Sequence, residues 1–199
     1  MSHDPTEQVL VVKADWVNNL CKEGFTTNIH SDFMINLPKE AFFMSRKEAE
    51  HDTNFRQIIP YILVCHNDKY LTVTRHPTQS ETRLHNKKSI GIGGHINPID
   101  GELENLLDAC LQRELSEELE IDNPPGLDEL NLLGLLRDDV NEVGLVHLGV
   151  VLRWNTNEPV NIREVEKMSG KYLTLEEIHT HRDNLENWSR LVHDHLIKK

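Results

Sequence analysis

The stretch from Gly93 to Ile121, GGHINPIDGELENLLDACLQRELSEELEI, constrains this chain more than any other. A Gly-Gly pair follows the apolar run SIGI, a Pro/Gly turn comes next, and from about Glu102 the pattern predicts a helix. At 100° per residue, Leu103, Leu106, Leu107 and Cys110 share one stripe. One turn further on, that stripe meets Glu114, Glu117 and Glu118, with Ile121 closing it. Glu104, Asp108, Gln112, Ser116 and Glu120 fall on the flank or the opposite side. Carboxylates thus continue the apolar face, at the i, i+3, i+4 spacing that brings side chains together.

A Glu-rich helix face is ordinarily a solvated one, but such a face lies opposite the apolar stripe. Carboxylates about 6 Å apart repel by roughly 3 kcal/mol per pair at an effective dielectric near 20. Three such pairs cost on the order of 8 kcal/mol, comparable with the stability of a whole domain. Arg113, four residues before Glu117, can reach one acid but cannot neutralise three. All-oxygen donors on a helix suit a hard divalent cation, Mg²⁺ or Mn²⁺.

The run Arg113-Glu114-Leu115-Ser116-Glu117-Glu118-Leu119-Glu120-Ile121 resembles the R-E-U-x-E-E-x-G-U core of the Nudix box, U being a bulky aliphatic residue. Gly93-Gly94 before His95-Ile96-Asn97-Pro98 resembles its glycine opening. The full pattern is G-x5-E-x7-R-E-U-x-E-E-x-G-U. Here seven residues rather than five separate Gly94 from Glu102, and ten rather than seven separate Glu102 from Arg113. Those spacings leave Glu102 and Glu104 as competitors for the pattern's first glutamate. Glu120 occupies the glycine position, which removes the usual C-cap and implies a different helix end near Asp122-Asn123-Pro124-Pro125-Gly126. The resemblance covers residues from about 56 to 199.

It implies an α/β fold, a Nudix-type α/β/α sandwich with a mixed sheet, plus an N-terminal extension over residues 1 to 55. It implies metal binding by Glu114, Glu117, Glu118 and the Gly94 carbonyl, with Arg113 holding the carboxylates in register. A general base would come from one of these acids or from Glu142 or Asp139 in a later turn, where a solvated turn is the competing reading. The implied reaction is Mg²⁺-dependent hydrolysis of a phosphoanhydride in a nucleoside diphosphate-linked or related pyrophosphate molecule. Two alternatives stand beside it. A catalytically silent nucleotide sensor should have lost box acids that are intact here. An isopentenyl diphosphate isomerase needs a catalytic cysteine in a loop, whereas Cys65 and Cys110 fall on a strand and on the helix's apolar face.

The remaining sequence is consistent with this. Lys and Arg total 21 against 33 Asp and Glu, a net charge of −12, which disfavours nucleic acid or an anionic membrane as partner. Cys21, Cys65 and Cys110 are odd in number, without a CxxC pair, and indicate neither a disulfide framework nor zinc. No basic segment leads into an apolar one at the start, and no run is long enough to span a bilayer, so a cytoplasmic enzyme is expected. Gln8 to Lys13 suits a strand, Ala14 to Lys22 a helix, and Ser45 to about His51 a helix opened by a capping box. Phe33 to Leu37 reads as strand or loop. A dimer contact and a substrate lid are the roles open to this extension.

Ile58 to His66 and Tyr70 to Thr74 read as a hairpin. The cationic loop Arg75 to Lys88 runs into the strand Ser89 to Ile92, which makes Arg83 and Lys87 candidates for substrate phosphates. Leu130 to Arg137 and Val143 to Trp154 form a second hairpin, on which His147 reads as a core or edge residue. Lys171 to Thr174 is a last strand, Thr174 and Glu177 make another capping box, and Asp183 to Ile197 is an amphipathic helix.

Overall fold

The computed structural model describes residues 6–27, 29, 32–76 and 87–198, with nothing said of the Asp32 side chain. The chain begins with β1 (Gln8–Lys13), α1 (Ala14–Leu20), β2 (Gly24–Thr26), α2 (Asp32–Glu40), β3 (Phe42–Ser45) and α3 (Arg46–Ala49). Then come β4 (Phe55–His66), β5 (Lys69–Arg75), β6 (Lys88–Ser89) and α4 (Leu106–Glu118). β7 (Asn131–Arg137), β8 (His147–Asn155), β9 (Met168–Leu173), α5 (Leu175–His179) and α6 (Asn187–Leu196) complete it.

All of the strands join one mixed sheet, ordered β2-β7-β8-β4-β1-β3, with β5 pairing β4, β6 and β9. β4 is the spine. It runs parallel to β8 over Gln57 to Cys65 and is buried along nearly its whole length, as expected of a parallel strand covered on both faces. Even-numbered β4 residues Ile58, Ile62 and Val64 enter a core shared with α1, α2 and α4. Odd-numbered Tyr61, Leu63 and Cys65 enter a second core beneath α5 and α6. Helices therefore cover both faces, giving the α/β/α sandwich.

The N-terminal residues are part of this sheet. β1 pairs with both β3 and β4, and Leu10, Val12, Val17, Phe33 and Leu37 share the core of α4. The β4–β5 hairpin turns through Asn67 and Asp68, both at positive φ (47° and 59°), the left-handed pair a two-residue hairpin loop requires.

One feature of β4 positions everything that follows. Its outer edge pairs with β1 only through Gln57 and next meets Ile92, through Ile62 N–H to Ile92 O (2.7 Å) and the reciprocal bond (2.9 Å). Backbone donors alternate sides, so Pro60, two residues before Ile62, lacks a donor on that same edge. In the gap, Gly93 lies so close to β4 that a Cβ would sit 2.0 Å from Pro60 O. The chain then leaves the sheet and crosses to α4.

Candidate active site

α4 packs through Leu106, Leu107, Cys110, Leu111 and Leu115, all buried. It starts at Leu106 rather than near Glu102, and Leu103, Glu102 and Glu104 stand exposed in the preceding turn. Neither competing glutamate therefore rides on the helix. At the other end, Leu119 turns to extended backbone (φ −118°, ψ 151°) and makes an antiparallel bridge to Ile162. Glu118 O accepts from Arg163 N–H (2.8 Å), while the Arg163 guanidinium donates to Leu119 O (3.0 Å) and Ile121 O (3.3 Å). A crossing segment thus satisfies the terminal carbonyls that a glycine cap would otherwise turn back on themselves. That is why Glu120 is tolerated at its position.

The three glutamates do not share one environment. Glu114 is largely covered, and its carboxylate lies against Gly94: a Cβ there would be 2.1 Å from Oε1. Only glycine allows that approach without displacing the acid. Burial pushes the Glu114 carboxyl up, opposed by Arg113. Glu118 is pushed up to about 7, first by burial, then by Glu114 and Glu164, with Arg75 and Lys167 pulling the other way. Glu117 is different, with its side chain 58% exposed and 3.7 Å from Arg113. The summed repulsion of three buried acids therefore does not arise; desolvation of two is the dominant cost.

Arg113 is held chiefly by a residue the sequence did not single out. Its Nε and Nη2 donate to Asp100 (2.7 and 3.1 Å), whose side chain is 2% exposed. Nη1 donates to Glu114 Oε1 (2.7 Å) and Nη2 to His95 O (3.0 Å). This arginine staples the glycine loop, the 98–100 turn and the helix together, and it orients Glu114. Asp100 is itself placed by accepting from Asn97 N–H (2.8 Å). The N-x-x-D spacing from Asn97 to Asp100 was the available signal.

The cations near Glu118 come from elsewhere. Arg75, at the end of β5, bonds Glu186 (3.0 Å) and also acts on Glu118 through space. Lys167 pairs with Glu164. Lys87 donates from Nζ to Asp183 O (3.4 Å), and Arg83 lies outside the described residues. Glu142 is exposed in the turn between β7 and β8. Asp139 is tied to Arg56 (2.8 Å) and Arg137 (2.5 Å); against burial, their hydrogen bonds hold its carboxyl below the usual range. That pairing makes Asp139 a structural anchor. His147 meets His95, Nε2 to Nε2 at 3.3 Å. Cys65 and Cys110 are buried, with thiols pushed up by burial, a poor setting for the nucleophile an isomerase requires.

Among the described residues no group of three or more His, Cys, Asp or Glu is gathered as a metal cage would be. The donors present nevertheless fit a hard divalent cation. The Gly94 backbone abuts the Glu114 carboxylate, and Glu118, one helical turn on, is a desolvated acid whose shift a cation would reverse.

No protein-family model matches the chain. It is 38% identical over 159 residues to protein YmaB of Bacillus subtilis (strain 168), covering 77% of each. Among solved structures it resembles Tm1382, classed with the Nudix hydrolases, at 31% identity and a TM-score of 0.82, covering 96% of this chain and 99% of that one. DR0079 from Deinococcus radiodurans shares the fold at 15% identity and a TM-score of 0.54, over 77% of this chain and 90% of that one.

Proposed function

The chain belongs to the Nudix hydrolase superfamily, and from that membership we propose that it is a Mg²⁺- or Mn²⁺-dependent pyrophosphohydrolase acting on a nucleoside diphosphate-linked or related pyrophosphate molecule. The observation that carries this reading is the contact of Gly94 with Glu114, with desolvated Glu118 on the next turn. A helix that only needed a solvated acidic face would have no use for a glycine fitted against a buried carboxylate.

Glu114, Glu118 and the Gly94 carbonyl would hold the cation, and exposed Glu117 could turn in to join them. When bound, the cation would polarise the phosphoryl oxygens and acidify an attacking water. Arg113 keeps Glu114 aimed, because its fork is fixed on the other side by Asp100 and His95 O. Arg75 contributes positive charge that acts on Glu118, and such charge would favour an anionic substrate there. The carboxylate that takes the water's proton is one of those on α4 or Glu142.

The test is turnover of nucleoside diphosphate sugars, dinucleoside polyphosphates, NADH, CoA and nucleoside triphosphates with Mg²⁺, Mn²⁺ or excess chelator. Hydrolysis should require the cation, and isotopically labelled water should deliver its oxygen to a phosphate product. Undiminished turnover in chelator, or label only on a carbon-bound oxygen, would refute the reading.

A further inference from the structure

The sheet face beneath α5 and α6 is apolar around Tyr61, Tyr70, Ile90 and Leu173, but it turns polar at one end. There β6, β5 and β9 lie side by side, with Thr74 opposite Lys88 on one strand and Ser169 on the other, and Thr72 opposite Lys171. Side chains alternate along a strand, so these five project together, while Leu71 and Val73 enter the core on the α4 side. They line a hollow of about 290 Å³ that His181, from the turn after α5, helps to close.

Its chemistry is one-sided. Lys88 spends one of its three donors on Thr74 Oγ1 (3.0 Å) and has others to offer. Thr74, accepting that bond, has its own O–H to donate. Among the described residues no carboxylate lines the hollow, in a chain whose net charge is −12. Thr72 already donates its hydroxyl to Tyr70 O (3.3 Å), which leaves two ammonium groups and the Thr74 and Ser169 hydroxyls facing one space. That set matches a ligand with multiple acceptor oxygens and about two negative charges.

We propose that this hollow binds a phosphoryl group, either free phosphate or the phosphate of a small monoester. It is separate from the acidic centre: Arg75, the residue after Thr74, projects to the other side, where it acts on Glu118. The two sites lie back to back across β5, and none of the residues invoked belongs to α4. The inference therefore does not depend on the hydrolase reading.

The test is calorimetric titration of the full chain, in chelator, with inorganic phosphate and separately with glucose 6-phosphate. Saturable binding of either is expected, and the tighter of the two identifies the source of the phosphoryl group. Lys171→Ala, at an exposed position, should weaken it by on the order of tenfold. Lys171→Arg should restore most of the affinity, and Lys88→Met should weaken it similarly. Saturable binding of neither ligand overturns the proposal. So does binding that is indifferent to Lys171→Ala, or binding lost in Glu118→Gln instead.

Discussion

Replacing Glu118 by Gln keeps its shape and removes its charge, and the structure fixes what that should do to stability without metal. Burial raises the Glu118 carboxyl from 4.5 to about 7. In the folded chain it therefore holds its proton over a range in which the unfolded chain has released it. The native state binds more protons there, so stability falls as pH rises from about 4.5 through about 7. A shift of this size corresponds to about 3 kcal/mol, and to about 2 kcal/mol once residual solvent access is allowed for. In chelator, Glu118→Gln should thus be more stable than wild type by about 2–3 kcal/mol near pH 8 and no different near pH 4. For a chain of this length that is a rise in Tm of roughly 4–10 °C. Saturating Mg²⁺ should raise the wild-type melt substantially, since a ligand bound only by the native state stabilises it. The variant should gain less. Thermal melts of both proteins at the two pH values, with chelator and with Mg²⁺, supply every comparison. Equal melts in chelator at high pH, with equal Mg²⁺ shifts, would show that Glu118 is neither desolvated nor a ligand.

Two further perturbations separate structure from chemistry. At Gly94 an added methyl meets the movable end of Glu114, whereas at Gly93 it meets Pro60 backbone oxygen, which has nowhere to go. Gly94→Ala should change stability by less than about 1 kcal/mol yet weaken Mg²⁺ binding at least about tenfold, while Gly93→Ala should cost about 1–3 kcal/mol or more; melts and metal titrations read both. Arg113→Ala strands the buried Asp100 carboxylate and should cost about 3–5 kcal/mol, most of it recovered in Arg113→Ala/Asp100→Asn, as urea unfolding would show.

Local signals in this sequence translated well where one short-range rule governs the outcome. Gln8 to Lys13 is β1 as read, and Thr174 does make the reciprocal cap with Glu177 (3.2 and 2.9 Å). The apolar stripe through Leu106, Leu107 and Cys110 is buried. Signals failed where two rules compete. Phe33 and Leu37 are four apart and both buried on α2, but Pro38 and the poor alternation masked the helical face. Ser45 has the capping-box spacing, yet its side chain makes no cap bond. No local pattern could show that β4 and β8 run parallel, or that residues read as an extension would supply β1 to the same sheet.

The acidic centre was legible as a helix face but not as a charge balance. Periodicity places Glu114, Glu117 and Glu118 within one arc, yet Glu117 lies at its solvent edge while the other two are covered. The spacing from Gly94 to the helix, longer than in the family pattern, proves informative. Part of that stretch forms the 98–100 turn, which carries Asp100 onto Arg113. An arginine already shared among Asp100, Glu114 and His95 O has little left for Glu118. Positive charge near Glu118 must therefore come from outside the helix, and it does, from Arg75 on β5 and Lys167 before β9. Their separation in sequence from Glu118 is why no motif could announce them. The electrostatic balance at Glu118 is therefore set by residues brought in from two other parts of the chain, and not by the arginine of the motif.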